Sequence, residues 1–116
     1  MSELLLEIDK IKSSQKPIIV EGKKDKAALN KLGLTKIFTI KVPLFKLCEN
    51  ISKKYNEVII LTDLDKEGRK LYSKLKENLE RNGVKIDNSF RHFLFKETKL
   101  TQIEGLVTYI ENSKLK

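Results

Sequence analysis

A single cysteine, Cys48, and a single histidine, His92, deny the chain the thiol pairs and imidazole clusters that disulfides and zinc sites require. Any metal chemistry must use carboxylates. Tryptophan is absent, and with 2 prolines and 5 glycines no breaker-rich linker or low-complexity segment divides the chain. No apolar run approaches the ~18 residues of a membrane span. Met1, Ser2 and acidic Glu3 do not open a basic segment leading into an apolar stretch, so no secretory signal is expected. These absences predict a cytoplasmic protein with no membrane partner.

What is present fits one small domain spanning residues 1–116: 13.4 kDa is too little for two independent cores, and 40% hydrophobic residues are too many for a disordered chain. Lys and Arg total 24 against 16 acids, leaving 24 − 16 = +8. Such an excess favours polyanions, because clustered cations displace the counterions condensed on nucleic-acid phosphates. Only Arg69, Arg81 and Arg91 are arginines, and a lysine-rich surface also serves solubility alone.

Hydrophobic periodicity predicts alternating helices and strands. Leu4, Leu5, Ile8 and Ile11 share one face of a first helix over 3–14. Ile18 to Val20 reads as a strand buried on both faces, followed by a helix that Asp25 can cap and Gly33 ends. A second strand is expected at Ile37 to Ile40, and a helix opening at Pro43 and running to about Lys54. Val58 to Leu61 is the strongest strand signal, a long helix runs from Lys66 to Asn82, and a short strand occupies Val84 to Ile86. The core is thus about 17–86, with a C-terminal helical extension over 88–113. Within it FRHFLF alternates enough to pass for either a helix or a strand, and Thr101 with Glu104 has the spacing of a capping box for a last helix over about 102–112.

Strands alternating with helices predict an α/β fold, a four-stranded, mostly parallel sheet of the Rossmann or flavodoxin-like kind with helices on both faces. Ligands of such sheets bind beyond the carboxyl ends of the strands where strand order reverses. Glu21 ends the first strand, while Asp63 and Asp65 follow the third; in the flavodoxin-like order those strands are neighbours, so the acids should share one rim. Crowded carboxylates repel unless a cation, a proton or basic groups compensate them. Mg²⁺ suits hard oxygen ligands and retains waters or substrate phosphates, and Mn²⁺ can substitute for it. Lys23, Lys24, Lys66 and Arg69 flank the acids on loops or first helical turns and could hold phosphates, while Gly22 and Gly68 allow close backbone approach.

EGKKD at Glu21 to Asp25 and TDLDKEG at Thr62 to Gly68, each following an apolar strand, resemble the Toprim domain shared by topoisomerases, bacterial-type primases and several nucleases. The resemblance covers about residues 17–86. It implies a Mg²⁺-dependent site for making or breaking phosphodiester bonds, with Glu21 as general acid or base and Asp63 and Asp65 as metal ligands. Glu67 falls where some members carry a third acid, and Asp25 at a position frequently acidic in the primase-like and nuclease-like versions. Arg69 departs from the acid usual after the motif glycine of single-strand-cutting topoisomerases, and nothing in the chain supplies their tyrosine domain or the zinc module of a primase. The pattern is most similar to the small stand-alone Toprim proteins, related to the Toprim ribonuclease that matures a small ribosomal RNA.

The expectation is therefore a Mg²⁺-dependent nuclease or RNA-processing factor acting on RNA or DNA, with a protein partner or homo-oligomer compatible with its small surface. The alternative is a non-catalytic nucleic-acid-binding module that recruits another enzyme. A receiver-like phosphoacceptor fits less well, because the paired acids follow the third strand and not the first. Each residue also has a plainer role open to it. Glu21 could salt-bridge Lys23 or Lys24, Asp25 could be only a cap, Glu67 a solvated helix-start acid, and Phe90 and Phe93 core rather than base-stacking aromatics.

Overall fold

The computed structural model describes residues 2–114, so residues 1, 115 and 116 of the expected domain lie outside the described residues. The elements run α1 (Ser2–Ser14), β1 (Ile18–Val20), α2 (Lys23–Lys31), β2 (Ile37–Thr39), α3 (Leu44–Ser52), β3 (Glu57–Ile60), α4 (Lys66–Arg81), β4 (Lys85–Ile86), α5 (Ser89–Glu97), a 3₁₀ turn (Ile103–Gly105) and α6 (Leu106–Lys114). The strands form one sheet in the order β2-β1-β3-β4, every pairing parallel. Ile18 stands opposite Ile37 on one side and Ile59 on the other, so β1 and β3 are central neighbours.

Strand periodicity distributes the apolar residues between the two faces of the one sheet. Ile18 and Val20 of β1, with Ile59 and Leu61 of the β3 region, face a layer made by Leu4, Ile8 and Ile11 of α1, Leu29 of α2, Phe90 and Leu94 of α5, and Ile103, Leu106 and Ile110. Ile19, Val58 and Ile60 point the other way, onto Leu47, Cys48 and Ile51 of α3 and Leu75 and Leu79 of α4. Both faces are covered, which is why the strands are continuous apolar runs rather than alternating ones. The chain steps outward from β1 to β2 with α2 on one face, then returns across the sheet to β3 with α3 on the opposite face. A constant crossover hand requires that change of face whenever the direction of progress reverses. The reversal lies between β1 and β3.

Several boundaries differ from the sequence expectation for local reasons. Helix α2 begins two residues before Asp25: Gly22 is its N-cap, and Asp25 sits in the first turn, where its carboxylate accepts the Gly22 N–H at 3.0 Å. The 88–97 segment is a helix, because Phe90 and Leu94 at helical spacing both reach the core. The capping box expected at Thr101 and Glu104 does not form. Gln102 is the N-cap of the 3₁₀ turn, without a side-chain cap, and the Thr101 carbonyl accepts the Leu64 N–H at 2.8 Å. The segment before the last helix is drawn toward the loop after β3.

Candidate active site at the sheet switch point

β1 and β3 each end in a turn that leads directly into a helix, and these two turns lie side by side because their strands are paired. Glu21, on the first turn, accepts the backbone N–H of Asp63, on the second, through its Oε2 at 2.8 Å, across a separation of 42 residues. The acids of the two motifs therefore meet at the strand-order reversal. Burial pushes the Glu21 carboxyl above its ordinary value, and the charges of Asp63, Asp25 and Asp65 push it further, opposed by the Asp63 N–H. Asp25 is raised likewise, first by burial and then by Asp63 and Glu104, against the hydrogen bond from Gly22. Five carboxylates, those of Glu21, Asp25, Asp63, Asp65 and Glu104, are thus linked in one electrostatic neighbourhood.

The turn after β3 is fixed by a set of backbone bonds. Asp65 is the N-cap of α4 and its Oδ1 accepts the Gly68 N–H at 2.8 Å; the buried Thr62 hydroxyl donates to the Gly68 carbonyl at 2.7 Å. Gly68 passes so close beneath the turn that a Cβ there would lie 2.0 Å from the Asp63 carbonyl oxygen. Only glycine fits. Gly22, by contrast, has open space where a Cβ would stand, and its φ of −152° is one any residue adopts. The close approach that the sequence assigns to both glycines is made within the fold at Gly68 only.

Two supports of this turn were not legible in the motifs. Arg91 of α5, 7% exposed, donates to the Thr62 carbonyl at 2.6 Å and the Asp63 carbonyl at 2.9 Å, and its guanidinium lies 4.5 Å from the centroid of the Tyr72 ring. Burial lowers its pKa, while Tyr72, Glu21 and Asp63 act in the opposite sense, so a permanent cation sits behind the acid cluster. The second support is the Ile103 N–H, which donates to Asp63 Oδ1 at 2.9 Å. The only sequence signal for Arg91 is a charge three residues before Leu94, on the apolar stripe of α5.

The carboxylates offer hard oxygen donors of the kind Mg²⁺ takes. Glu21, Asp63 and Asp65 each use one named oxygen to accept a backbone N–H, and the other oxygen of each has no hydrogen bond among the described residues. Among the described residues no three His, Cys, Asp or Glu side chains are gathered closely enough to hold one ion between them. The expected ligands Glu21, Asp63, Asp65 and Glu67 therefore form no closed cage. Glu67 is turned outward, 83% exposed and 3.7 Å from Lys70 Nζ. The donor set fits an ion that takes one or two protein carboxylates and completes its shell with water or phosphate oxygens.

Lys23 and Lys24 stand on the first turn of α2, Lys66 and Arg69 on the first turn of α4, all exposed and without an ion pair among the described residues. They flank the acids from two helix N-termini, where backbone dipoles also favour anions. The aromatic residues divide: Phe90 is core, 2% exposed, Phe93 is partly buried against the same cluster, and Phe95 is outward-facing. Cys48 is fully buried packing, and no helix among the described residues is long and apolar enough to cross a membrane.

Residues 16–96 match the Toprim domain. A UPF0292 protein of Methanocaldococcus jannaschii is 38% identical over 116 residues, spanning 93% of this chain and 91% of its own. Another from Methanosarcina acetivorans is 38% identical, spanning all of this chain and 83% of its own. Among solved structures, a protein from Aquifex aeolicus superposes with a TM-score of 0.79 at 33% identity, over 90% of this chain and 95% of that one. The zinc-binding and RNA polymerase domains of the Aquifex aeolicus primase share the fold at a TM-score of 0.58 and 22% identity, over 91% of this chain and 27% of that one. The chain belongs to the Toprim domain family and groups with the UPF0292 proteins of archaea.

Proposed function

We propose that the chain carries out Mg²⁺-dependent phosphodiester chemistry on nucleic acid, as a nuclease or RNA-processing factor. The observation that carries this reading is the Glu21 to Asp63 hydrogen bond, which joins the acid of the first motif to the acids of the second at the sheet's switch point. Asp63 and Asp65 would hold the ion through the carboxylate oxygens that accept no backbone N–H. When bound, Mg²⁺ supplies Lewis-acid stabilisation of charge on a phosphodiester. Glu21, its carboxyl raised above its ordinary value by burial and neighbouring acids, is suited to exchange a proton with an attacking or leaving oxygen. Lys23, Lys24, Lys66 and Arg69 hold flanking phosphates, Arg91 and Gly68 fix the turn that presents Asp63, Asp25 orders the turn after Glu21, and Gly22 leaves room above the rim.

Incubation of the purified protein with labelled structured RNA and single-stranded DNA tests this. Product should form with Mg²⁺ or Mn²⁺, not with chelator, and Glu21→Gln should reduce turnover by about 10²–10⁴-fold while sparing most binding. Asp63→Asn should weaken the dependence on metal. Products made equally by wild type and both variants belong to a contaminant and sink the reading.

The second reading, a non-catalytic binding module that recruits a partner enzyme, is favoured by one observation: among the described residues no three acids are gathered around a common point. Its signature is steeply salt-dependent binding without product, unchanged in Glu21→Gln.

A further inference from the structure

Next to the acid rim, α4 and α5 open a cleft of about 170 Å³. Arg69 and Tyr72 line it from α4; Asn88, the N-cap of α5, and Arg91, His92 and Phe95 at helical spacing within α5 line it from the other side. Its volume is well below the ~300–1,000 Å³ of pockets for drug-sized ligands, so it admits one ring system. Among the described residues no acid lines it. Arg91 there already has Glu21 and Asp63 acting on it as opposite charges, but Arg69, which acts on it as a like charge, has no ion pair among the described residues. The cleft calls for an anion.

It also calls for a planar apolar surface. Phe95, 58% exposed, is an apolar ring left outside the core in a lining it shares with Arg69 and Arg91. Arg91 lies over the Tyr72 ring and holds the carbonyls of Thr62 and Asp63, so whatever rests against it is one residue from the acids. A planar ring carrying an anion, next to a site for phosphodiesters, describes one nucleotide unit. We propose that this cleft seats an unpaired nucleobase stacked on Phe95, its phosphate against Arg69, adjoining the bond held at the acid rim. The inference rests on the phosphodiester reading and makes its substrate locally single-stranded, because a base within a duplex is stacked and cannot enter.

The test compares a short single-stranded oligonucleotide with an abasic chain of the same length, by fluorescence anisotropy at low salt with Ca²⁺ in place of Mg²⁺. The wild type should prefer the base-bearing chain by roughly 5- to 150-fold, the range of a single base–aromatic stack. Phe95→Ala, at an exposed position, should abolish that preference without changing affinity for the abasic chain, and Phe95→Trp should keep it. Equal affinity of the wild type for both chains, or a preference that survives Phe95→Ala, overturns the cleft assignment and leaves the phosphodiester reading standing. No binding of either chain overturns both.

Discussion

Glu21 is half-buried with Asp63, Asp25 and Asp65 around it, so its ionised form opposes folding. A carboxyl whose folded pKa is raised contributes stability below its unfolded value of about 4.3 and loses it as pH rises through the folded value. Glu21→Gln, whose amide oxygen can still accept the Asp63 N–H, should therefore melt at the same or a higher temperature than wild type at pH 7.5. The difference should close near pH 3.5, where the wild-type carboxyl is protonated; thermal melts at both pH values measure it. Gly68 makes the opposite case. A methyl there collides with the Asp63 carbonyl, and Gly68→Ala should lose ~1–3 kcal/mol in urea denaturation, the range for overpacking, while Gly22→Ala changes little. Motif reading identified Glu21, Asp63 and Asp65 because acids ending apolar strands stand out in sequence. It could not separate Gly22 from Gly68, since the distinction lies in how near another backbone passes.

Among the elements, α5 was the least legible. FRHFLF alternates at period two and repeats at helical spacing, and the choice between them was made by contacts with α1 and the central strands, which no local window contains. The same contacts turn Arg91 inward. Removing its fork leaves two carbonyls of the Asp63 turn without their donor, so Arg91→Met should lose ~1–3 kcal/mol and loosen the turn. Arg91→Lys, able to reach one carbonyl but not both, should recover part of that loss by the same measurement. The last helix failed at its start for a related reason. Thr101 and Glu104 have capping-box spacing, but Leu64 and Asp63 take up the Thr101 carbonyl and the Ile103 N–H, a tertiary demand that overrides the local cap.

Across the whole molecule the parallel sheet with both faces covered follows from the alternation of apolar strands with amphipathic helices, and the flavodoxin-like order it suggests makes β1 and β3 neighbours, so the rim where Glu21 meets Asp63 was readable before its geometry was. Less readable was the clasp across the sheet, where Lys16 Nζ reaches Asp87 at 2.8 Å and Glu57 at 3.2 Å and ties the approach to β1 to β3 and the end of β4. Burial resists ionisation of Asp87, but the bonds from Lys16 and Ser89 prevail and hold its carboxyl below the ordinary value; Lys16 is raised in turn. A depressed carboxyl contributes stability above its unfolded pKa of about 3.9, lost as pH falls through the lower folded value. Asp87→Asn should lose ~1 kcal/mol at pH 7, and that difference should shrink toward zero near pH 2, read by urea denaturation at each pH.

The acid rim itself is most directly tested by soaking crystals of the protein with Mn²⁺ and locating the ion by its anomalous scattering. Density touching a carboxylate oxygen of Asp63 or Asp65, with Glu21 alongside, is the expected result. An ion bound elsewhere, or none at saturating Mn²⁺ while these three side chains keep only their backbone donors, contradicts a metal-dependent site at the β1–β3 switch point.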